Sequence, residues 1–129
     1  MKRNIPFLAL TLLVLATGCS KKDSVKPVTN HEVTFSTTSN GYKTVISLQT
    51  KGTAEEEAKV LTSATNTGTN YSYKTTITTG DHLLITISPN GANSRYHYQI
   101  DDNGSKTDEG DVTVAIGTSF VLHYPKSSN

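Results

Sequence analysis

Apolar and polar side chains alternate along most of the chain from His31 to Tyr124, the period of half-buried strands. Val33, Phe35 and Thr37 form the first series. Tyr42, Thr44, Ile46 and Leu48 form the second, with Lys43, Ser47 and Gln49 on the opposite face. Between them stands Asn40-Gly41, a pair that tolerates positive φ at both positions and favours a tight turn. Residues 33–48 are therefore expected to form a hairpin. The alternation returns in Tyr71, Tyr73, Thr75 and Ile77, in Leu83, Ile85 and Ile87, and in Tyr96, Tyr98 and Ile100. Gly80-Asp81 and Pro89-Asn90-Gly91 supply turns between these series. Asn103-Gly104 is expected to close a further hairpin into residues 106–109. Val112, Val114 and Ile116 continue until Gly117, and Phe120, Leu122 and Tyr124 end the pattern.

Residues 50–70 carry two signals. Thr53-Ala-Glu-Glu56 has the form of a capping box, and residues 55–61 are good helix formers. Residues 58–64 would equally make an irregular edge strand whose charges discourage aggregation. Both readings stay open, and residues 66–70 (Asn-Thr-Gly-Thr-Asn) read as a polar loop. The spacing gives an all-β fold of about seven strands with turn signals every 8–12 residues or so, as in an immunoglobulin-like antiparallel β-sandwich. An open barrel is the competing closure.

The N-terminus departs from this pattern. Lys2 and Arg3 precede an uncharged apolar run at residues 7–16, the layout of an export signal. The run is too short for a hydrocarbon core of about 30 Å, which needs roughly 20 apolar residues. Leu15-Ala16-Thr17-Gly18-Cys19 then resembles a lipobox, the site at which bacterial lipoproteins are acylated on the cysteine and cut before it. The expected division is a signal peptide at 1–18, a lipid-anchored flexible tether at 19–30, a β-sandwich domain at 31–125 and a tail at 126–129. A flexible tether of that length has a root-mean-square reach of roughly 20 Å. Ser20 after the cysteine resembles the sorting signal of outer-membrane lipoproteins, so the expected address is the bacterial cell envelope.

Composition narrows the chemistry. Without Lys2 and Arg3 the chain has 10 basic and 11 acidic side chains, a formal charge of −1 that gives no footprint for nucleic acid. The 21 threonines and scattered Val, Ile and Tyr favour strands. Cys19 is the sole cysteine, so no intramolecular disulfide, cysteine zinc site or thiol nucleophile is expected in the folded region.

Three groups are candidates for a site. His82, His97 and His123 fall on strand segments, but no two of the four histidines have a close ligand spacing, so no metal is expected. Residues 101–111 are rich in acids, yet Gly104 is fourth and Val112 twelfth, which fails the EF-hand pattern and suits a soluble hairpin tip. Tyr71, Tyr73, Tyr96 and Tyr98 form two Tyr-x-Tyr pairs. Such rows can stack sugars, although tyrosines at period two more often pack across strands. No Gly-x-Ser-x-Gly elbow, phosphate-cradling glycine loop or carboxylate pair in an apolar setting is present. The expectation is a protein that is not an enzyme and carries no cofactor.

Residues 73–88 (Tyr-Lys-Thr-Thr-Ile-Thr-Thr-Gly-Asp-His-Leu-Leu-Ile-Thr-Ile-Ser) and 96–106 (Tyr-His-Tyr-Gln-Ile-Asp-Asp-Asn-Gly-Ser-Lys) resemble the MmpS-like β-sandwich family. Val33-Thr-Phe35 followed by Asn-Gly is similar to the family's opening. The family's Pro-Trp before the middle strand has no counterpart, and a lipobox stands in place of its membrane-spanning helix. The resemblance implies a membrane-transport accessory in the envelope. The expected function is therefore a non-enzymatic, lipid-anchored binding or accessory protein that presents a strand edge or loop to a membrane-protein partner. A glycan or small-ligand binder, or an inhibitor of an envelope-attacking enzyme with residues 50–70 or 101–111 as its loop, are the alternatives.

Overall fold

The structure, a computed structural model, describes residues 27–66, 70–91 and 94–126; the expected signal peptide, Cys19 and most of the tether lie outside them. Eight strands follow in order: β1 (Asn30–Thr37), β2 (Tyr42–Gln49), β3 (Lys59–Asn66), β4 (Tyr71–Thr78), β5 (His82–Pro89), β6 (Ser94–Asp102), β7 (Ser105–Val114) and β8 (Phe120–Tyr124). They form two four-stranded antiparallel sheets, ordered β4-β1-β6-β7 and β3-β2-β5-β8. No described strand pairs across the two sheets, so the closure is a sandwich, as the alternation required, and not a barrel.

Of the two readings left open for residues 50–70 the edge strand prevails; the helical one is reduced to a single 3-10 turn whose N-cap is Ala54 with no side-chain bond, so Thr53 forms no capping box. A 3-10 turn at Glu55–Glu57 precedes β3, an edge strand whose pairing with β2 shifts register between Ile46 and Ser47. Residues 106–109 and 112–114, expected as separate pieces, are one strand, β7. Ile116 lies beyond it in a turn, 63% exposed.

The first expected hairpin is corrected. β1 and β2 belong to different sheets, and residues 38–41 carry the chain over the edge of the sandwich. Two Asn-Gly pairs show why. Asn103 and Gly104 both have positive φ, +49° and +79°, as a two-residue hairpin turn needs. At the first corner only Gly41 has positive φ, +75°, and its N–H donates to the Asn66 carbonyl at 2.8 Å, tying the corner to β3. Alternation could not decide between these outcomes. Facing sheets bury Val33, Phe35, Tyr42, Thr44 and Ile46 as well as a hairpin would.

The inner faces carry the core. Val33, Tyr42, Thr44, Ile46, Ile85, Ile87, Tyr96 and Ile100 are 0% exposed. Fully burying one Ile or Phe side chain contributes about 1.5–3 kcal/mol, so these residues dominate stability. Tyr42 on β2 meets Tyr96 on β6 edge-to-face across the gap, with ring centroids 4.6 Å apart. The Tyr96 hydroxyl bonds Thr44 Oγ1 at 3.2 Å, which satisfies two polar groups in the apolar centre.

Opposite Tyr98, β7 has Gly110. A Cβ there would lie 2.9 Å from the Tyr98 hydroxyl and 3.1 Å from its ring, so the missing side chain is the space the ring occupies. Gly110→Ala is expected to destabilise the domain by about 1–3 kcal/mol through overpacking. The check is urea unfolding, read as a lower midpoint with an unchanged slope. An unaltered midpoint would mean that the Tyr98 ring is not confined there.

Candidate functional site

The strand directions give the sandwich two distinct ends. The start of β1, the β2–β3 connection, the β4–β5 turn, the Asn103-Gly104 turn and the end of β8 gather at one end. Residues 27–30, the last of the expected tether, lead into β1 there, which makes it the tether end. The corner at residues 38–41, the end of β3, the start of β4, the end of β5, the start of β6 and the β7–β8 connection lie at the other.

At the tether end the inner-face alternation continues into polar residues. Asp102 follows Tyr98 and Ile100 on β6, and Asp108 precedes Gly110, Val112 and Val114 on β7. Their side chains are only 18% and 12% exposed, so each carboxylate needs partners. Asp102 accepts the Tyr124 hydroxyl at 2.8 Å and faces His31 Nδ1 at 3.3 Å. Thr107 Oγ1 donates to the Ile100 carbonyl at 3.1 Å, beside the register shift that follows Ile100, and lies 3.2 Å from the Tyr124 hydroxyl. Asp108 takes Lys126 Nζ at 2.8 Å and the Tyr98 hydroxyl at 3.4 Å.

On its far side, His31 Nε2 lies 3.2 Å from Thr29 Oγ1 and 3.3 Å from Thr79 Oγ1. Carboxylate, imidazole and hydroxyl thus stand in the order of a nucleophilic relay. Of the two hydroxyls, Thr29 Oγ1 lies 2.7 Å from Thr79 Oγ1, and that of Thr79 is committed elsewhere. Thr79 Oγ1 lies 3.0 Å from the Thr29 carbonyl, which can only accept, and the Thr79 N–H donates to that carbonyl at 2.9 Å. The cluster ties three segments together: the root of the tether, the β4–β5 turn and β6.

Two clefts open beside it. The larger, about 350 Å³, is lined by Gln49, Lys51, Glu55, His82, His123 and Pro125, among others. The smaller, about 220 Å³, lies against His31, Ile77, Asp81 and Asp102 and shares Gly80 and Pro125 with the first. Gly80, with φ of +99°, forms the wall between them, and the methylenes of Lys51 cover it. Asp81 Oδ1 accepts the Lys51 N–H at 2.9 Å and so holds the β2–β3 connection on the β4–β5 turn.

No protein-family model matches the chain, and no curated protein or solved structure matches it either. Function has to be argued from the residues themselves.

The structure brings His82 and His123 into one cleft on β5 and β8 and sets His97 apart, on the outer face of the other sheet. There His97 lies 3.3 Å from Asp111 and 3.6 Å from Glu109. Residues 101–111 include the end of β6 and most of β7, and their acids are dispersed among separate partners: Gln99 with Asp101, Arg95 with Asp111, Lys106 with Glu109. Hydrogen bonding and charge from Lys106 lower the Glu109 pKa, and the Arg95 hydrogen bond lowers that of Asp111. The four candidate tyrosines all point inward. Tyr96 and Tyr98 are buried, and Tyr71 and Tyr73 pack half-buried against the core, so the four do not form an exposed row. The sequence reading passed over His31, Asp102 and Asp108. Their signal was acid at positions whose parity belonged to the core.

Burial raises the pKa values of Tyr71, Tyr96, Tyr98 and Tyr124 above the ordinary 10.0. A raised folded-state value gives stability that is fully present below about pH 10 and is lost as pH rises through the folded values. Stability is therefore expected to fall on the alkaline side, with tyrosinate absorbance appearing together with unfolding. Ionisation complete before any loss of structure would contradict this. A second expectation concerns the tether root. His31→Ala removes contacts worth about 1 kcal/mol each. Hydrogen exchange should quicken at residues 29–33 and 79 and stay unchanged in β2 and β5. Uniform quickening would mean that the cluster supports the whole fold.

Proposed function

We propose that the protein is a non-enzymatic accessory module of the bacterial cell envelope, anchored through lipid on Cys19, that offers a strand edge to a membrane-protein partner. The observation that carries this reading is the contrast among the sheet edges. β3 has Lys59 and a register shift, β4 has Lys74, and β7 has Lys106, Asp108, Glu109 and Asp111 beside a second register shift. β8 reads Phe-Val-Leu-His-Tyr, holds unbroken register with β5 and contains no Asp, Glu, Lys or Arg. Proteins ordinarily guard edges with charge, proline or bulges, because unpaired backbone groups recruit other strands. An unguarded edge suits a strand that joins a partner.

The outer face beside β8 supports the same reading. Two of its rows, Val60–Ser47–Leu84–His123 and Ser63–Val45–Thr86–Val121, contain no acid and no Lys or Arg; Lys43 stands in the next row between Thr65 and Ser88, and Glu55 lies against His123. Val60 and Val121 are 58% and 42% exposed. The opposite sheet carries the ion pairs Glu32–Lys74, Arg95–Asp111 and Lys106–Glu109 on its own outer face. Among the described residues no helix is long and apolar enough to cross a membrane, so attachment in this reading rests on Cys19. The resemblance to MmpS-like proteins points to a transport complex as the partner.

The test is affinity capture of the tagged chain from cross-linked membranes, read by mass spectrometry beside Cys19→Ala and Val121→Lys. One envelope complex recovered with the parent chain, and lost with each variant, is the expected result. Equal recovery with Val121→Lys would remove β8 from the interface. No reproducible partner at all would end the accessory reading.

A further inference from the structure

The larger cleft at the tether end contains a pair of histidines that the accessory role does not use. In the β5–β8 register His123 stands opposite Leu84, two residues along β5 from His82. The two are thus diagonal neighbours on one face, a relation that sets Cα atoms about 7–8 Å apart. Two imidazoles at that separation can reach a common ion.

Each ring has an oxygen on its Nδ1 side, as metal-bound histidines do. His82 Nδ1 lies 3.4 Å from the Pro125 carbonyl, and His123 Nδ1 lies 3.7 Å from Glu55 Oε1. The Pro125 carbonyl only accepts, so in that bond the His82 Nδ1 carries the proton and Nε2 keeps its lone pair; Glu55 lies beyond hydrogen-bond distance of His123 and acts on it by charge alone. Among the described residues neither Nε2 has a hydrogen-bond partner. Metal-ligating histidines give the other ring N–H to a carbonyl or carboxylate in this way, which fixes tautomer and orientation.

We propose that His82 and His123 chelate one divalent transition-metal ion through their Nε2 atoms at the mouth of this cleft, with water in the remaining positions. Two imidazoles suit borderline ions, and affinity should follow the order in which Cu2+ exceeds Ni2+ and Zn2+. Hard ions such as Mg2+ and Ca2+ prefer oxygen ligands and should not compete. Among the described residues no group of three or more His, Cys, Asp or Glu is gathered to hold a metal, so the site is a two-ligand chelate with open positions. Glu55 stands behind His123 as a counter-charge, and Lys51 on the other wall sets an upper limit on affinity. The other histidines are engaged elsewhere. His31 has both ring nitrogens in the tether-root cluster, and His97 faces Glu109 and Asp111. The inference does not depend on the accessory reading.

The experiment titrates the full chain, without a histidine tag and carrying Cys19→Ala so that no thiol competes, with CuSO4, NiCl2, ZnCl2 and MgCl2 in a calorimeter. Electron paramagnetic resonance of the Cu2+ form reports its nitrogen ligands. One saturable Cu2+ per chain with two-nitrogen coupling is expected. His82→Ala and His123→Ala should each weaken Cu2+ binding by about a hundredfold, because a chelate becomes a single ligand. His31→Ala and His97→Ala should leave it unchanged. Both cleft histidines are on the surface, and equal metal-free thermal midpoints of the variants check that folding is intact. Undiminished Cu2+ binding in the double variant, dependence on His97, or no saturable binding would each overturn the proposal.

Discussion

Two sheets that share no backbone ladder are held together only by what passes between their inner faces. In this domain tyrosines do much of that work. Tyr96 reaches Thr44 across the centre, and Tyr124 on one sheet donates to Asp102 on the other. Tyr98 lies over Gly110 and bonds Asp108 on its own sheet. Each ring fills apolar volume and delivers a hydroxyl to a polar group that would otherwise be stranded. A chain without disulfides or tryptophan thereby obtains large cross-layer contacts, and the hydroxyls of Tyr96, Tyr98 and Tyr124 find partners, whereas the Tyr71 hydroxyl and Asn66 Nδ2 are buried without one. The burial that raises the tyrosine pKa values follows from the same arrangement.

That constraint distributes chemistry unevenly along the sandwich. The centre is closed by aromatic and branched side chains. Polar groups with spare capacity are pushed to the tether end, where Asp102 and Asp108 cap the core and His31 links the tether root to two other segments. An acid–imidazole–hydroxyl sequence arises there as a consequence of packing, and its hydroxyl is occupied by a backbone carbonyl. The two cleft histidines differ because His82 is held through Nδ1 by the Pro125 carbonyl, His123 faces Glu55 only by charge, and neither Nε2 has a partner among the described residues.

The sequence revealed most of the layer structure and little of the connectivity. Alternation located the core face of every series, from Val33 and Phe35 to Leu122 and Tyr124, because a side-chain period of two admits only one inward face. It could not say which series shared a sheet. Asn40-Gly41 and Asn103-Gly104 are the same letters, yet only the second pair adopts positive φ at both residues, since hydrogen bonds from distant segments fix the first corner. The tether-root cluster was obscured for a related reason: Asp102 and Asp108 sit in an acidic stretch that resembles a solvated tip. The cleft histidines are 41 residues apart, so only the β5–β8 register makes them neighbours.

The unguarded edge of β8 could in principle accept a second copy of the chain. Identical strands related by a two-fold axis pair antiparallel, Leu122 against Leu122 with Val121 facing His123 of the other copy. Such a dimer points the two sandwiches in opposite directions and places one tether root at each end. An eight-residue strand spans about 26 Å, and a twelve-residue tether spans at most about 40 Å fully extended. For a chain anchored at Cys19, one tether would have to run back along most of the domain, at about two thirds of its full extension or more, to reach the membrane that holds the other. A strand from a different protein meets no such conflict. Under the proposed anchorage through Cys19, the open edge of β8 therefore suits a heterologous partner better than self-association.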